Sequence, residues 1–399
     1  MKLINKAPLF FLIILLIAQS SCNNTQGNKT DELKAVVDSL QSVYAPDKRV
    51  NLWMAIIENN KLNLWVENKK AFLEIDRIIK SRFPDIEKDI RLLPEKSSDQ
   101  FISGIINNSV ANLRSKPRHS SELATQALLG TPVRVFKKQG EWYLVQTPNR
   151  YIAWVDSAAM VTIDKASLQE YKQSKKVVFT TVSGFSYSEP NENSQTISDL
   201  VMGCILPALE SKNGFIEVRY PDKRLAWVKQ NEVVNLNELS SRKLNTANLL
   251  KTAKHFLGFP YLWGGTSSKA VDCSGFTSTV FFMNGIILQR DASQQTKYGK
   301  EITTVYEPTN LLPGDLLFFG RPATKTKKER VTHVAMYLSG GEFIHASGKV
   351  RINSMDSTRP NYIKSYKKRF IRAVRINGCV DGTGIELLRE NKFYKEITE

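Results

Sequence analysis

The stretch Phe259-Pro260-Tyr261-Leu262-Trp263-Gly264-Gly265, followed by Val271-Asp272-Cys273-Ser274-Gly275-Phe276, decides how the rest of the chain is read. A helical pattern runs from 277 to 284 and stops at Gly285, so Cys273 is predicted to open a helix. A thiol there meets unpaired backbone N–H groups and the positive end of the helix dipole. Both favour thiolate, the form that attacks carbonyls. The peptide N–H of Cys273 can also point at a developing oxyanion. Just upstream, residues 246–257 read as a helix capped by Thr246. Leu250, Ala253 and Leu257 share a face, and Gly258 ends it.

A thiol nucleophile needs a base, and the chain has four histidines. Val331-Thr332-His333-Val334-Ala335-Met336-Tyr337-Leu338 reads as a strand, Ser339-Gly340-Gly341 as a turn, and Glu342-Phe343-Ile344-His345-Ala346 as the return strand. With a three-residue loop, Leu338 faces Glu342 and Ala335 faces His345. His333 and His345 then project from one face as diagonal neighbours. With a two-residue Gly340-Gly341 loop the register slips by one, and His345 turns to the other face. In the first register His333 is the candidate general base toward Cys273, and His345 is the candidate residue that orients and polarises it.

The motifs PYLWGG, DCSGF, LLPGDLLFF, THVAMYL and FIHASG, in this order over about residues 245–377, resemble the NlpC-type cysteine peptidase family, which has a papain-like core. The resemblance implies a Cys273-His333-His345 triad, with Tyr261 near the oxyanion site and Asp272 and Ser274 shaping the substrate side of the nucleophile. It also implies a reaction: cleavage of peptidoglycan stem peptides, commonly between γ-D-glutamate and the following diamino acid. Arg290-Asp291-Ala292-Ser293-Gln294-Gln295 resembles the segment that supplies an acid for a free substrate N-terminus in the subgroup with paired SH3-like domains. Asp291 is the candidate acid, and Tyr151 a candidate wall of the same pocket. Such a pocket selects stems with a free N-terminal L-alanine. Residues 321–330 form a basic segment leading into the His333 strand and fit the family pattern poorly.

Upstream, two stretches repeat. Gly130 is followed by Trp142 and by Trp154 in Ala153-Trp154-Val155. At the same spacing, Gly203 is followed by Phe215 and by Trp227 in Ala226-Trp227-Val228. Shared spacing argues for a duplicated unit of short strands, resembling bacterial SH3-like barrels. Residues 166–175 and 238–245 read as linkers. Before the repeats, residues 31–97 mix a helix near 33–40, a strand pair at 50–57 and 62–66, and a helix at 70–82. The fold expected is α+β and multidomain. A short α/β segment (31–97) precedes SH3-like domains at 98–165 and 172–238, then the catalytic domain at 245–377 and a tail at 378–399.

Lys2 and Lys6 precede the apolar run Pro8-Leu9-Phe10-Phe11-Leu12-Ile13-Ile14-Leu15-Leu16-Ile17-Ala18, which is signal-peptide length (1–21) and short for a membrane span. Gln19-Ser20-Ser21-Cys22 resembles a lipobox, although Gln19 departs from the usual aliphatic residue. Cys22 is then the lipidation site and 22–30 a tether. This predicts an exported lipoprotein, anchored by lipid, on the periplasmic side or the cell surface. With Cys22 set aside, Cys204, Cys273 and Cys379 remain, which is no disulfide framework. Cys204 reads as a small core residue. The formal charge of +17 favours anionic partners, but no nucleic-acid motif and no zinc-ligand spacing is present. The expectation is therefore no cofactor, no metal, no nucleic acid, a monomer, and wall-derived peptides as partners. A wall-peptide binder with a weak catalytic domain, and an amidase or acyltransferase on the same core, remain as alternatives.

Overall fold

The computed structural model describes residues 25–94 and 103–395. The signal, the lipobox and residues 22–24 of the expected tether lie outside the described residues, and residues 25–30 open the helix Thr25–Tyr44 instead of forming a tether. The described chain divides into two compact units. One holds the residues up to Pro46 together with Trp53–Leu92, and the other holds Asp47–Leu52 together with everything after Leu92.

In the first unit, Trp53–Glu58 and Lys61–Val66 pair antiparallel through Asn59-Asn60. Both asparagines have positive φ, 49° and 60°, as a two-residue hairpin of matching twist requires. A third strand, Glu87–Leu92, which the sequence did not suggest, adds in parallel to Lys61–Val66. The connecting helix Lys69–Arg82 starts at Asn68, whose side chain accepts the Lys70 and Ala71 N–H groups. Its Ala71, Ile75 and Ile79 bury against Leu62, Leu64 and Val66. Leu33 and Val37 of the helix Thr25–Tyr44 join them.

The second unit begins with two seven-stranded antiparallel sheets, one over Ser103–Ile163 and one over Lys176–Asn235. Their repeat is visible in detail. Gly130 and Gly203 both take positive φ, and Trp154 and Trp227 are both buried. Each copy ends in a strand, a single 3₁₀ turn and a last strand, at Ile152–Asp156, Ser157–Ala159 and Met160–Ile163, and at Leu225–Lys229, Gln230–Glu232 and Val233–Asn235. The two segments expected as linkers are ordered instead. Lys165–Gln173 is a helix capped by Asp164, and its Tyr171 is buried with its hydroxyl on the Gly130 carbonyl at 2.6 Å. Leu236–Ser241 is a short helix that buries Leu236 and Leu239. Tyr171 anchors the first segment and Leu236 with Leu239 the second, each set among polar neighbours that masked it.

The last sheet has six antiparallel strands in the order Lys300–Thr303, Phe370–Arg375, Leu316–Arg321, Arg330–Ser339, Glu342–Ser347, Lys349–Ser354. Helices Thr246–His255 and Cys273–Phe282 pack with one face of it. There Phe276, Val280 and Phe281 meet Leu316, Phe318, Val334, Met336 and Ile344. The alternate residues Leu317, Phe319, Ala335, Tyr337 and Phe343 bury on the other face with Tyr366 and Phe370. Burial on both faces explains the unbroken apolar run in Leu316-Leu317-Phe318-Phe319. Thr246 does not cap its helix. Asn245 does, accepting the Asn248 N–H at 3.2 Å. The chain end is not a free tail, because Ile385–Leu387 pairs with Ile286–Leu288 and buried Asn391 donates to the Pro148 carbonyl.

Candidate active site

Cys273 is the first residue of the helix Cys273–Phe282, and Asp272 is its cap, accepting the Gly275 N–H at 2.7 Å. Asp272 also accepts the Gly264 N–H at 3.0 Å, tying the glycine-rich approach to the helix start. Fully buried Arg290 grips the Asp272 carboxylate with both terminal nitrogens, at 2.6 and 3.1 Å. It also donates to Ser274 Oγ at 3.1 Å and to Thr125 Oγ1 of the first repeat at 2.8 Å. Asp272 and Ser274 therefore turn their polar groups into an internal network that locks the helix start, while both still border the cleft.

The expected thiolate is not what this environment favours. Burial first, and then the Asp272 charge, push the Cys273 thiol up to about 12. The Val334 and Ser274 N–H groups and Arg290 oppose them. At a buried helix start, desolvation outweighs the dipole. The contact with Val334 places the thiol beside the residue that follows His333.

The hairpin reaches the register the histidines need by another route. The turn is the two-residue one: Ser339 faces Glu342, and Gly340 and Gly341 both take positive φ, 53° and 81°. A bulge at Leu338 then restores the lost residue, so Tyr337 faces Phe343 and Met336 faces Ile344. His333 Nε2 and His345 Nδ1 are 2.8 Å apart, with the rings edge-on at 81°. Both rings are buried. Burial is the main cause that lowers the basicity of each, His345 to about 4 and His333 well below the usual 6.5. The imidazole charge on the neighbouring ring adds to the effect on His333. Beyond them His345 Nε2 meets Asn353 Oδ1 at 2.9 Å, and Tyr366 brings its hydroxyl to 3.3 Å from His345 Nδ1. The sequence did not single out Asn353 or Tyr366. His119 and His255 are exposed and take no part.

A cleft runs past Cys273, lined by Tyr261, Trp263, Asp291, Tyr151 and Arg330 among others. Burial, then the Cys273 and Asp272 charges, hold the Tyr261 phenol above its ordinary range, so it stays a proton donor. Tyr151 is buried, with its hydroxyl 3.3 Å from Asp291 Oδ2. The same oxygen receives Arg49 Nη1 at 2.7 Å, and that nitrogen also reaches Ser293 Oγ at 2.9 Å. Asp47 holds Arg49 from behind at 2.8 and 2.7 Å, and Gln294 donates to Asp47. No sequence signal pointed to Arg49, which lies 242 residues from Asp291. The basic segment is the exposed connection between two strands. Of it, only Arg330 lines the cleft. Among the described residues no cluster of metal-ligating side chains occurs.

A thiol at a helix start, packed on an antiparallel sheet that carries two contacting histidines, makes this a cysteine peptidase. Residues 258–375 match the NlpC/P60 family and residues 113–160 match the bacterial dipeptidyl-peptidase Sh3 domain. The γ-D-glutamyl-L-lysine dipeptidyl-peptidase of Bacillus cereus is 30% identical over 258 residues, which is 62% of this chain and 74% of that one. Its counterpart in Bacillus subtilis is 30% identical over 56% of this chain and 72% of that one. A crystal structure of an NlpC/P60 family protein from Bacillus cereus superposes with a TM-score of 0.57 at 27% identity, covering 68% of this chain and 99% of that one. The chain belongs to the NlpC/P60 family.

Proposed function

We propose that this protein cuts peptidoglycan stem peptides at the γ-D-glutamyl–L-diamino acid bond, with Cys273 as nucleophile, His333 as base and His345 orienting it. The observation that carries the reading is the 2.8 Å contact of the two imidazoles, on a strand whose Val334 N–H, next to His333, meets the helix-borne thiol. Thiol and imidazole both rest neutral. His333 takes the Sγ proton as the sulfur attacks the γ-carbonyl carbon. The resulting oxyanion faces the Cys273 peptide N–H and the Tyr261 hydroxyl. The tetrahedral adduct collapses as the imidazolium returns the proton to the leaving amine, giving a thioester. Water, deprotonated by the same imidazole, then releases the acid.

Asp291 and Tyr151 are read as the pocket for a free N-terminal ammonium, which supports a preference for stems that begin with an unblocked L-alanine. In this reading a papain-like core (245–377) follows two SH3-like barrels (98–165 and 172–238). The whole works outside the cytoplasmic membrane, tethered by lipid at Cys22. No helix among the described residues is long and apolar enough to cross a membrane. The test is incubation with L-Ala-γ-D-Glu-L-Lys, its diaminopimelate analogue and their N-acetylated forms, beside Cys273→Ala. The dipeptide L-Ala-γ-D-Glu should appear from the free forms with wild type alone. Equal product from the variant sinks the mechanism, and equal rates on acetylated stems sink the preference.

A further inference from the structure

We infer that Asn353 is a positioning residue that fixes the tautomers of both histidines, so that His333 presents a bare Nδ1 as base. The inference rests on the triad reading above and adds a fourth residue to it. Asn353 lies on Lys349–Ser354, the strand paired to the one that carries His345. It is 8% exposed, and His345 is 0% exposed.

The amide orientation follows from its two ends. Asn353 Nδ2 donates to the Asn361 carbonyl at 3.2 Å, and that carbonyl also accepts the Ser354 N–H at 3.0 Å. Turning the amide over would set its oxygen against that carbonyl. Asn353 Oδ1 therefore faces His345, and His345 Nε2 must carry the hydrogen across the 2.9 Å contact. His345 Nδ1 is then a lone pair. It accepts from His333 Nε2–H at 2.8 Å, with the Tyr366 hydroxyl at 3.3 Å on the same nitrogen. His333 thus keeps its proton on Nε2, and Nδ1 is left to take one. Among the described residues no hydrogen bond is made to His333 Nδ1. The opposite tautomer pair would set lone pair against lone pair at Asn353 in a buried site. The other ionisable groups near the pair are Arg351, across from His345, and Arg369, beside His333. Both are cations and disfavour a second proton on either ring.

The test uses three forms of the full protein: wild type, Asn353→Leu and Asn353→Asp. Asp keeps the acceptor for His345 and loses the donor to Asn361. Leu keeps the packing and loses both. Asn353→Leu should lower kcat roughly 10²- to 10⁴-fold with KM little changed, the scale on which a wrong tautomer costs a triad enzyme. Asn353→Asp should recover most of kcat, with its acid limb moved up about 1–3 pH units by the new carboxylate. A purely structural role predicts the reverse order, since a buried carboxylate disturbs packing more than leucine does. Nitrogen-15 spectra of histidine-labelled protein should show Nε2–H on both rings in wild type and Asp, and mixed tautomers in Leu. Should Leu fail to fold, the Asp variant's tautomers and acid limb decide. Unchanged tautomers in Leu, or an Asp variant as inactive as Leu, overturn the inference. The spectra need no turnover, so they stand even if Cys273→Ala and His333→Gln prove active, an outcome that would sink the triad reading instead.

Discussion

Replacing Arg290 by Met leaves a side chain of similar length with no charge, and the structure sets the size of the damage. Arg290 is 1% exposed and makes two bonds to Asp272, one to Ser274 and one to Thr125. Its loss strands the Asp272 carboxylate at a site where only 7% of that residue is exposed. Breaking a buried pair from one side costs about 3–5 kcal/mol, because the remaining charge is uncompensated. The Gly264 and Gly275 N–H groups still reach Asp272, which puts the expectation at the lower end, ~3 kcal/mol. At about 2 °C per kcal/mol for a unit of this size, the midpoint should fall roughly 6 °C. Urea titration followed by tryptophan fluorescence at pH 7 measures the loss, and Asp272→Asn in the same background tests its cause. Asparagine caps a helix as well as aspartate does and carries no charge, so the double variant should regain about 1–2 kcal/mol over Arg290→Met alone. A single variant within 1 kcal/mol of wild type, or a double variant no more stable than the single, refutes the claim that this ion pair locks the nucleophile's helix.

Stability should also fall in acid through the histidine pair. His345 is held near 4 in the folded chain against 6.5 when free, so its contribution is complete above pH 6.5 and is lost as pH falls toward 4. The loss is about 3 kcal/mol, His333 adds in the same direction, and a His345→Gln variant should show a shallower decline between pH 7 and 4.5. Alkylation of Cys273 by iodoacetamide should climb steadily to at least pH 10, since the thiol is pushed up to about 12; a plateau between pH 5 and 6 would show a resting thiolate. Arg49→Gln should lower KM for a free-amine stem about 2- to 5-fold at low salt with kcat unchanged, because the resident guanidinium repels the substrate ammonium at Asp291; an equal gain on the N-acetylated stem would refute that charge argument.

The nucleophile was legible because its chemistry is local. The helix start, the glycine approach and the thiol lie within fifteen residues, and spacing alone places them. The histidine hairpin was legible only as a choice. Alternation demanded one more residue than the Gly340-Gly341 turn supplies, and a bulge at Leu338 provided it. Leu338 is buried like the residues that immediately precede it in the strand, so nothing in its hydrophobicity marks the irregularity. Asn353 was hidden for a related reason: the strand Lys349–Ser354 mixes polar and apolar residues and looks like a surface edge until its pairing with His345 is known.

Arg49 shows the other limit. Its role depends on Asp47–Leu52 packing with the later chain although its sequence neighbours belong elsewhere, and no periodicity encodes that. The consequence is chemical. Asp47 and Asp291 share one guanidinium, so this cluster keeps one net negative charge, the complement of a single ammonium. A substrate amine must join Arg49 at Asp291 Oδ2 or take the free side of the carboxylate. Selectivity for an unblocked terminus is thus weaker than a bare aspartate would give, and it depends more on ionic strength. Stem discrimination measured from low to high salt should therefore fall faster in wild type than the turnover of an acetylated stem does, and parallel curves would place the selectivity in shape rather than charge.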